Sequence, residues 1–182
     1  MIKVILCDDH AVVRRGIRDT ISEATDIQVV GEAGSYPELR EAMRKTECDV
    51  LVLDLNMPGR GGLEVLAALK EEGSTVKTLV VSMYPEDQYA IRCLRAGARG
   101  YLNKAGEPAE LVAAIRTVMQ GRKYVTAEVA QMLVDNLHAP ESEELHASLS
   151  ERELQTLQKI ASGKKLSDIA EELMLSPKTV SV

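Results

Sequence analysis

Five polar side chains stand at the ends of short aliphatic runs in this chain. Asp8 and Asp9 follow "KVILC", Asp54 lies near the end of "DVLVLDL", Ser82 near the end of "TLVVSM", and Lys104 just past "GYL". Three carboxylates brought together repel one another unless a cation sits among them, and hard oxygen ligands favour magnesium, which keeps several waters and accepts a phosphate. Lys104 adds a mobile positive charge and Ser82 a hydroxyl, both suited to phosphoryl oxygens. Such a set can hold a phosphoryl group on a carboxylate. The residue types therefore point to a nucleophilic Asp54 that forms a mixed anhydride, with catalysis supplied by positioning and charge neutralisation.

That chemistry requires the five residues to meet, and the elements that would bring them together can be read along the chain. Short aliphatic runs alternate with helical patterns up to about residue 120, the signature of a parallel sheet with helices on both faces. The runs "KVILC", "IQVVGEA", "DVLVLDL", "TLVVSM" and "GYL" are the expected strands. Between them Val13, Ile17 and Ile21 share a helical face, as do Leu39 with Met43, Leu63 with Leu66, and Ile91 with Leu94; Leu111, Ile115 and Val118 do so after the last strand. Ser35 with Glu38 predicts a capping box, Pro108 suits a first helical position, and Gly73, Gly97 and Gly121 fall where helices should stop. In an open sheet of order 2-1-3-4-5 the first and third strands are neighbours and ligands bind beyond the carboxyl ends, so all five polar residues share one edge.

Composition bounds the rest. At 182 residues and 45% hydrophobic content the chain can bury a full core, and with no Phe or Trp that core is aliphatic. No apolar run approaches the ~18 residues of a membrane span and the start lacks a signal-peptide pattern, so the expected location is the cytoplasm with no membrane partner. Cys7, Cys48 and Cys93 lack metal-ligand spacing and are expected to be buried, reduced thiols. A net charge of −6 argues against wholesale coating of nucleic acid but leaves room for a small local contact. After Gly121 comes one amphipathic segment, "TAEVAQMLVDNL", and then "HAPESEELHASL", acidic and without periodicity, which reads as a linker. Ser150 with Glu153 opens a further series of helix, turn, helix, and Ser176 with Pro177 starts a third helix that runs to Val182.

The motifs "CDDH", "LDLNMPGRGG", "VSMY" and "GYLNKA" resemble the receiver domain of two-component response regulators. The stretch "LSERELQTLQKIASGKKLSDIAEELMLSPKTV" resembles a LuxR-type helix-turn-helix, so the chain is identified as a member of the NarL/FixJ group. The resemblance implies a flavodoxin-like doubly wound receiver over 1–122, a helix and linker over 123–149, and an incomplete, small all-α DNA-binding domain over 150–182. It implies that Asp54 accepts a phosphoryl group from a sensor histidine kinase. Asp9, Asp54 and the backbone carbonyl of Asn56 would hold Mg2+, with Asp8 acting through water, and Lys104 would contact the phosphoryl group. Ser82 would be drawn toward that group and Tyr101 would swing inward, coupling the site to a surface on the fourth helix and fifth strand; phosphorylation would favour a homodimer, its dimer surface left open. Many receivers place a proline, after a cis bond, where Ala105 follows Lys104 here; a cis bond to a non-proline costs about 3 kcal/mol, so either the loop stores strain or its bond is trans.

In the LuxR-type pattern "LSDIAEEL" supports and "SPKTVSV" begins the recognition helix, with Lys178 and Thr179 pointing at phosphates or base edges. His10 reads as a helix-start residue rather than a ligand, Pro58 and "GRGG" as turn residues, and Tyr84 as either a shield over the site or a surface loop residue. Two other classes compete with a transcription regulator. One is a phosphatase or mutase, which generally wants a second acid where Asn56 stands and a nucleophile on the first strand. The other is an interaction or phosphate-sink module without DNA output. Because a recognition helix of this group runs several turns further, the 182-residue chain is expected to bind DNA weakly or not at all, while a full-length parent binds; tight, sequence-specific binding in a salt titration would overturn this.

Overall fold

The aliphatic runs form strands because both of their faces can be covered by the helices that separate them. In a computed structural model of the protein, which describes residues 1–138, the elements follow one another as β1 (Ile2–Cys7), α1 (Ala11–Ser22), β2 (Ile27–Ala33), α2 (Tyr36–Lys45), β3 (Val50–Leu53), α3 (Gly62–Glu71), β4 (Lys77–Ser82), α4 (Glu86–Ala96), β5 (Gly100–Asn103), α5 (Pro108–Met119) and α6 (Ala127–His138). The five strands are parallel and lie in the order β2-β1-β3-β4-β5, the flavodoxin-like, doubly wound arrangement. The linker beyond residue 138, the capping box at Ser150 and the helix-turn-helix with Lys178 and Thr179 lie outside the described residues.

Alternation along the strands divides the core in two. Val4, Leu6, Val50, Val52, Leu79, Val81 and Leu102 point to one face, where they pack with Ile21 of α1 and with Leu111, Ile115 and Val118 of α5. Their neighbours Ile5, Leu51, Leu53, Val80 and Tyr101 are equally buried and point to the other face, which α2, α3 and α4 cover. No charged residue within a strand is buried in either layer; the buried acids Asp8 and Asp54 lie where strands end.

The punctuation holds with one displacement. Gly73, Gly97 and Gly121 all take positive φ at helix ends, where a β-carbon is strained, and α5 begins at Pro108. Ser35 is the residue before α2, but its hydroxyl makes no cap; Glu38 instead accepts a hydrogen bond from the Gly34 N–H at 2.7 Å. A reach-back of the same kind, not anticipated, occurs at α3, where Glu64 accepts from the Gly61 N–H at 3.0 Å. Cys7 and Cys93 are buried and in no disulfide, whereas Cys48 is only partly buried. The Lys104–Ala105 peptide is trans.

After α5 the chain returns to the sheet edge. Tyr124 donates its N–H to the Arg99 carbonyl at 2.9 Å and accepts the Tyr101 N–H at 3.1 Å, making a parallel bridge with Gly100. Helix α6 then packs against α4, burying Val129, and Thr126 donates its hydroxyl to Glu86 at 2.7 Å.

Gly62, the first residue of α3, is pressed against the loop that follows β3. A β-carbon there would lie 2.6 Å from the Asp54 carbonyl oxygen and 2.8 Å from the Leu55 α-carbon, both backbone atoms that cannot rotate away. Gly62→Ala is therefore expected to destabilise the protein by about 1–3 kcal/mol, read as a lower urea midpoint. An unchanged midpoint would mean the loop has slack that the packing does not show.

Candidate functional site

The carboxyl ends of β1, β3, β4 and β5 deliver the site. The Asp8 N–H is taken by Ala33 at 3.0 Å and the Asp54 N–H by Cys7 at 2.8 Å, so each acid is fixed by one further rung beyond its strand. The Lys104 N–H bonds the Ser82 carbonyl at 2.9 Å in the same way. Ladder hydrogen bonds thus set three of the functional residues before any side chain acts.

Asp8 and Asp54 are both 3% exposed, and between them stands the Lys104 ammonium. Its Nζ lies 2.7 Å from Asp54 Oδ2, as a hydrogen bond, and 2.7 Å from Asp8 Oδ2, as a charge contact without hydrogen-bond alignment. Burial pushes the Asp54 carboxyl above the usual carboxylate range; Lys104 draws it back and the Asp8 charge adds to the rise. Asp54 Oδ1 is buried and has no hydrogen-bond partner among the described residues. A buried, unpartnered carboxylate oxygen is costly to keep unless a ligand is to meet it.

The donors around it are oxygens. Ligand atoms of Asp8, Asp9, His10 and Asp54 lie within 4.8 Å of one another, a set compatible with a divalent metal. His10 precedes α1, as expected of a helix-start residue, donates its N–H to Asp8 Oδ1 at 2.8 Å, and turns its ring back so that Nδ1 is 2.7 Å from Asp9. Asn56, Ser82, Met83, Tyr84 and Lys104 line an open pocket of about 240 Å³ with Asp54. The space is large enough for a group to be added to the carboxylate from outside.

Ser82 lines the pocket and Tyr101 lies beside it. Ser82 is 1% exposed and its hydroxyl accepts the Tyr84 N–H at 3.4 Å. Tyr101 is already inward, 1% exposed, with its hydroxyl donated to the Tyr84 carbonyl at 2.8 Å. Burial raises its phenol further above the ordinary range. Every predicted site residue within the described chain therefore reaches the one edge.

Two residues escaped the sequence reading. Arg14 on α1 donates to the Asp8 carbonyl at 2.5 Å and to Glu32 on β2 at 3.0 Å, bracing the turn that carries the acids. Asn103 brackets the turn after Lys104. The signal for Arg14 was a cation beside the apolar face of Val13 and Ile17; for Asn103 it was an amide at a strand end, a common turn former.

The family model of the response regulator receiver domain matches residues 4–116, and that of bacterial regulatory proteins of the luxR family matches residues 147–182. Among curated proteins, the response regulator UvrY of Escherichia coli is 40% identical over 182 residues, which is 100% of this chain and 84% of the relative. A crystal structure of a LuxR-family two-component response regulator from Aurantimonas covers 75% of this chain and 98% of its own, with 33% identity and a TM-score of 0.68. A structure of two RcsB dimers bound to two parallel DNAs covers 99% of this chain and 86% of its own, with 27% identity and a TM-score of 0.68.

A carboxyl whose pKa is higher in the folded than in the unfolded state binds more protons when folded, so its ionisation opposes folding. Its favourable contribution is complete below the unfolded carboxylate pKa and is lost as pH rises through the raised folded value. In magnesium-free buffer at neutral pH, Asp54→Asn is thus expected to stabilise the protein by about 1–2 kcal/mol, as removal of a poorly compensated buried charge does. The gain should shrink as pH falls through the raised value of Asp54. Denaturant melts of both proteins across that range check it, and a gain that grows toward acid would reverse the assignment.

Proposed function

We propose, for a chain that belongs to the response regulators of two-component systems and to their NarL/FixJ group, that Asp54 is the phosphoacceptor through which a sensor histidine kinase controls transcription. The observation that carries this is the buried, unpartnered Asp54 Oδ1 beside Lys104, Asp8 and the open pocket. In the transfer, an Asp54 carboxylate oxygen attacks phosphorus, the P–N bond of the phosphohistidine breaks, and the imidazole leaves with its electron pair and takes a proton. The product is an acyl phosphate on a protein whose role is regulation rather than turnover of substrates.

Asp9, Asp54 and the backbone carbonyl of Asn56 would hold Mg2+, with Asp8 acting through water. The donors fit, being hard oxygens, with ligand atoms of Asp8, Asp9 and Asp54 within 4.8 Å of one another. When bound, Mg2+ supplies charge neutralisation where the carboxylate and phosphoryl oxygens crowd. Lys104 exchanges its ion pair with Asp54 for a contact to a phosphoryl oxygen, retaining Asp8 as its second partner. Ser82 offers its hydroxyl to the same group, and Tyr101 fills the space behind it, so the inward ring is the position phosphorylation would hold. The wiring from Tyr101 to Tyr84 and to Tyr124 supports this coupling, since it reaches both the β4–α4 loop and the edge of β5.

The regulator divides, in this proposal, into a receiver over 1–122, a helix and linker over 123–149 and the LuxR-type DNA-binding region from 150, where Lys178 and Thr179 are the proposed DNA contacts. Its partners would be the kinase, DNA, and a second copy of the phosphorylated chain. The DNA-bound dimers of the RcsB structure support that last expectation. No helix among the described residues is long and apolar enough to cross a membrane, which agrees with action in the cytoplasm.

Incubation with acetyl phosphate and Mg2+, followed by intact and peptide mass spectrometry, should show one phosphoryl adduct on Asp54. The adduct should be absent without Mg2+ and absent in Asp54→Ala. No adduct on a folded protein, with no response to beryllofluoride, would remove the phosphoacceptor reading and leave an interaction module.

A further inference from the structure

We infer that Asn103 is a positioning residue that holds the Lys104 turn in place and ties it to Tyr101; this rests on the reading of Asp54 as phosphoacceptor. Lys104 is the first residue past β5, and its own N–H makes the last rung to Ser82. The turn beyond it is exposed at Ala105 and Gly106, yet the ammonium at the end of that side chain must stay 2.7 Å from two buried acids. Something has to fix the turn, and Asn103 alone answers both of its N–H groups. Its side-chain Oδ1 accepts the Ala105 N–H at 2.8 Å and its main-chain oxygen accepts the Gly106 N–H at 3.0 Å. This closes an Asx turn around the lysine. A proline at 105 would lack the N–H on which the first bond depends.

An Asx turn at a strand end can be merely local, and what separates this one is the other end of the amide. With Oδ1 committed to Ala105, Nδ2 points back to the Tyr84 carbonyl at 3.4 Å. That oxygen also accepts the Tyr101 hydroxyl at 2.8 Å, and the Tyr84 N–H in turn faces the Ser82 hydroxyl at 3.4 Å. One side chain thus bridges the cation that neutralises Asp54 and the carbonyl that anchors the inward tyrosine. The acids come from β1 and β3, so the amide acts on the cation and the switch without touching the metal-binding carboxylates.

The test compares wild type, Asn103→Ala and Asn103→Ser as full chains. Phosphorylation by acetyl phosphate is followed against Mg2+ concentration, with Asp54→Ala as the blank. Asn103→Ala should lower the rate at saturating Mg2+ by about tenfold, as misplacement of a positioned group does, while the half-saturating Mg2+ concentration stays unchanged. Asn103→Ser should recover most of the rate, because a hydroxyl can accept the Ala105 N–H. In the same series the Ala105 amide should exchange with solvent faster in the alanine variant and near the wild-type rate in the serine one. The serine variant cannot reach Tyr84, so the shift of the Tyr101 resonance on adding beryllofluoride should shrink despite the recovered rate. Equal rates for wild type and Asn103→Ala would overturn the inference and leave the phosphoacceptor reading standing. A wild-type protein that takes no phosphoryl group would overturn that reading, and the inference with it.

Discussion

A single ammonium group held between two buried carboxylates sets the terms for the rest of the structure. Lys104 neutralises one charge where Asp8 and Asp54 bring two, and Asp9 adds a third at the rim. In a medium of low dielectric this is an unbalanced arrangement. Burial therefore holds the Asp54 carboxyl above its ordinary range even with the cation in contact. Such a site persists only because the sheet around it is stable enough to impose it. Of the four buried polar residues among those described, Asp8, Asp54 and Ser82 belong to the site and Thr78 stands apart, so the strain is concentrated at one edge.

The sheet imposes it through backbone geometry. Asp8, Asp54 and Lys104 are each held by a ladder rung one step past the regular strand, and those rungs are spaced by the parallel register rather than by side-chain choice. Removing a carboxylate would leave the rungs in place, which is why the chemistry can be altered without dissolving the scaffold. The loop after Asp54 is fixed differently. There the α3 start presses Gly62 onto the Asp54 carbonyl, and Glu64 caps the turn through the Gly61 N–H. The "GRGG" stretch serves close approach of backbone to backbone.

Much of this was legible in the sequence. The five runs and the residues at their ends follow from period and punctuation, because strands buried on both faces leave near-continuous aliphatic runs that helices do not mimic at that length; the order 2-1-3-4-5 came with the doubly wound fold class. Asp8, Asp9, Asp54, Ser82 and Lys104 were legible for the same reason: a charge at the end of such a run has nowhere to go but the edge. What the sequence did not show is what depends on distance across the chain. Arg14 reaches the Asp8 carbonyl only because α1 returns over β2; its place beside the apolar face of Val13 and Ile17 does not name that partner, and the neighbouring Arg15 faces solvent beside Asp19. Ser35 and Glu38 carried the capping signature, yet the glutamate took the N–H of Gly34 instead; local propensity named the partners but tertiary fit chose the atom. The return of Tyr124 to the edge of β5 was invisible because the pairing is a single bridge.

That return changes how Tyr101 is to be understood. Tyr101 is held at three places: its hydroxyl by the Tyr84 carbonyl, its N–H by the Tyr124 carbonyl, and its strand by the ladder to β4. The first hold belongs to the loop beside Asp54 and the second to the segment that leads into α6, which packs on α4 through Val129 and meets Glu86 through Thr126. A residue that touches both sides of this boundary links the loop beside Asp54 to the segment leading into α6. Tyr101 does so through main chain on one side and side chain on the other. Rotation of its ring would release the loop without unzipping the edge, whereas loss of the Tyr124 bridge would free the α6 segment without moving the ring. The two motions are therefore separable by construction, and a signal that couples them must act on the β4–α4 loop, where Tyr84 and α4 are continuous in the chain.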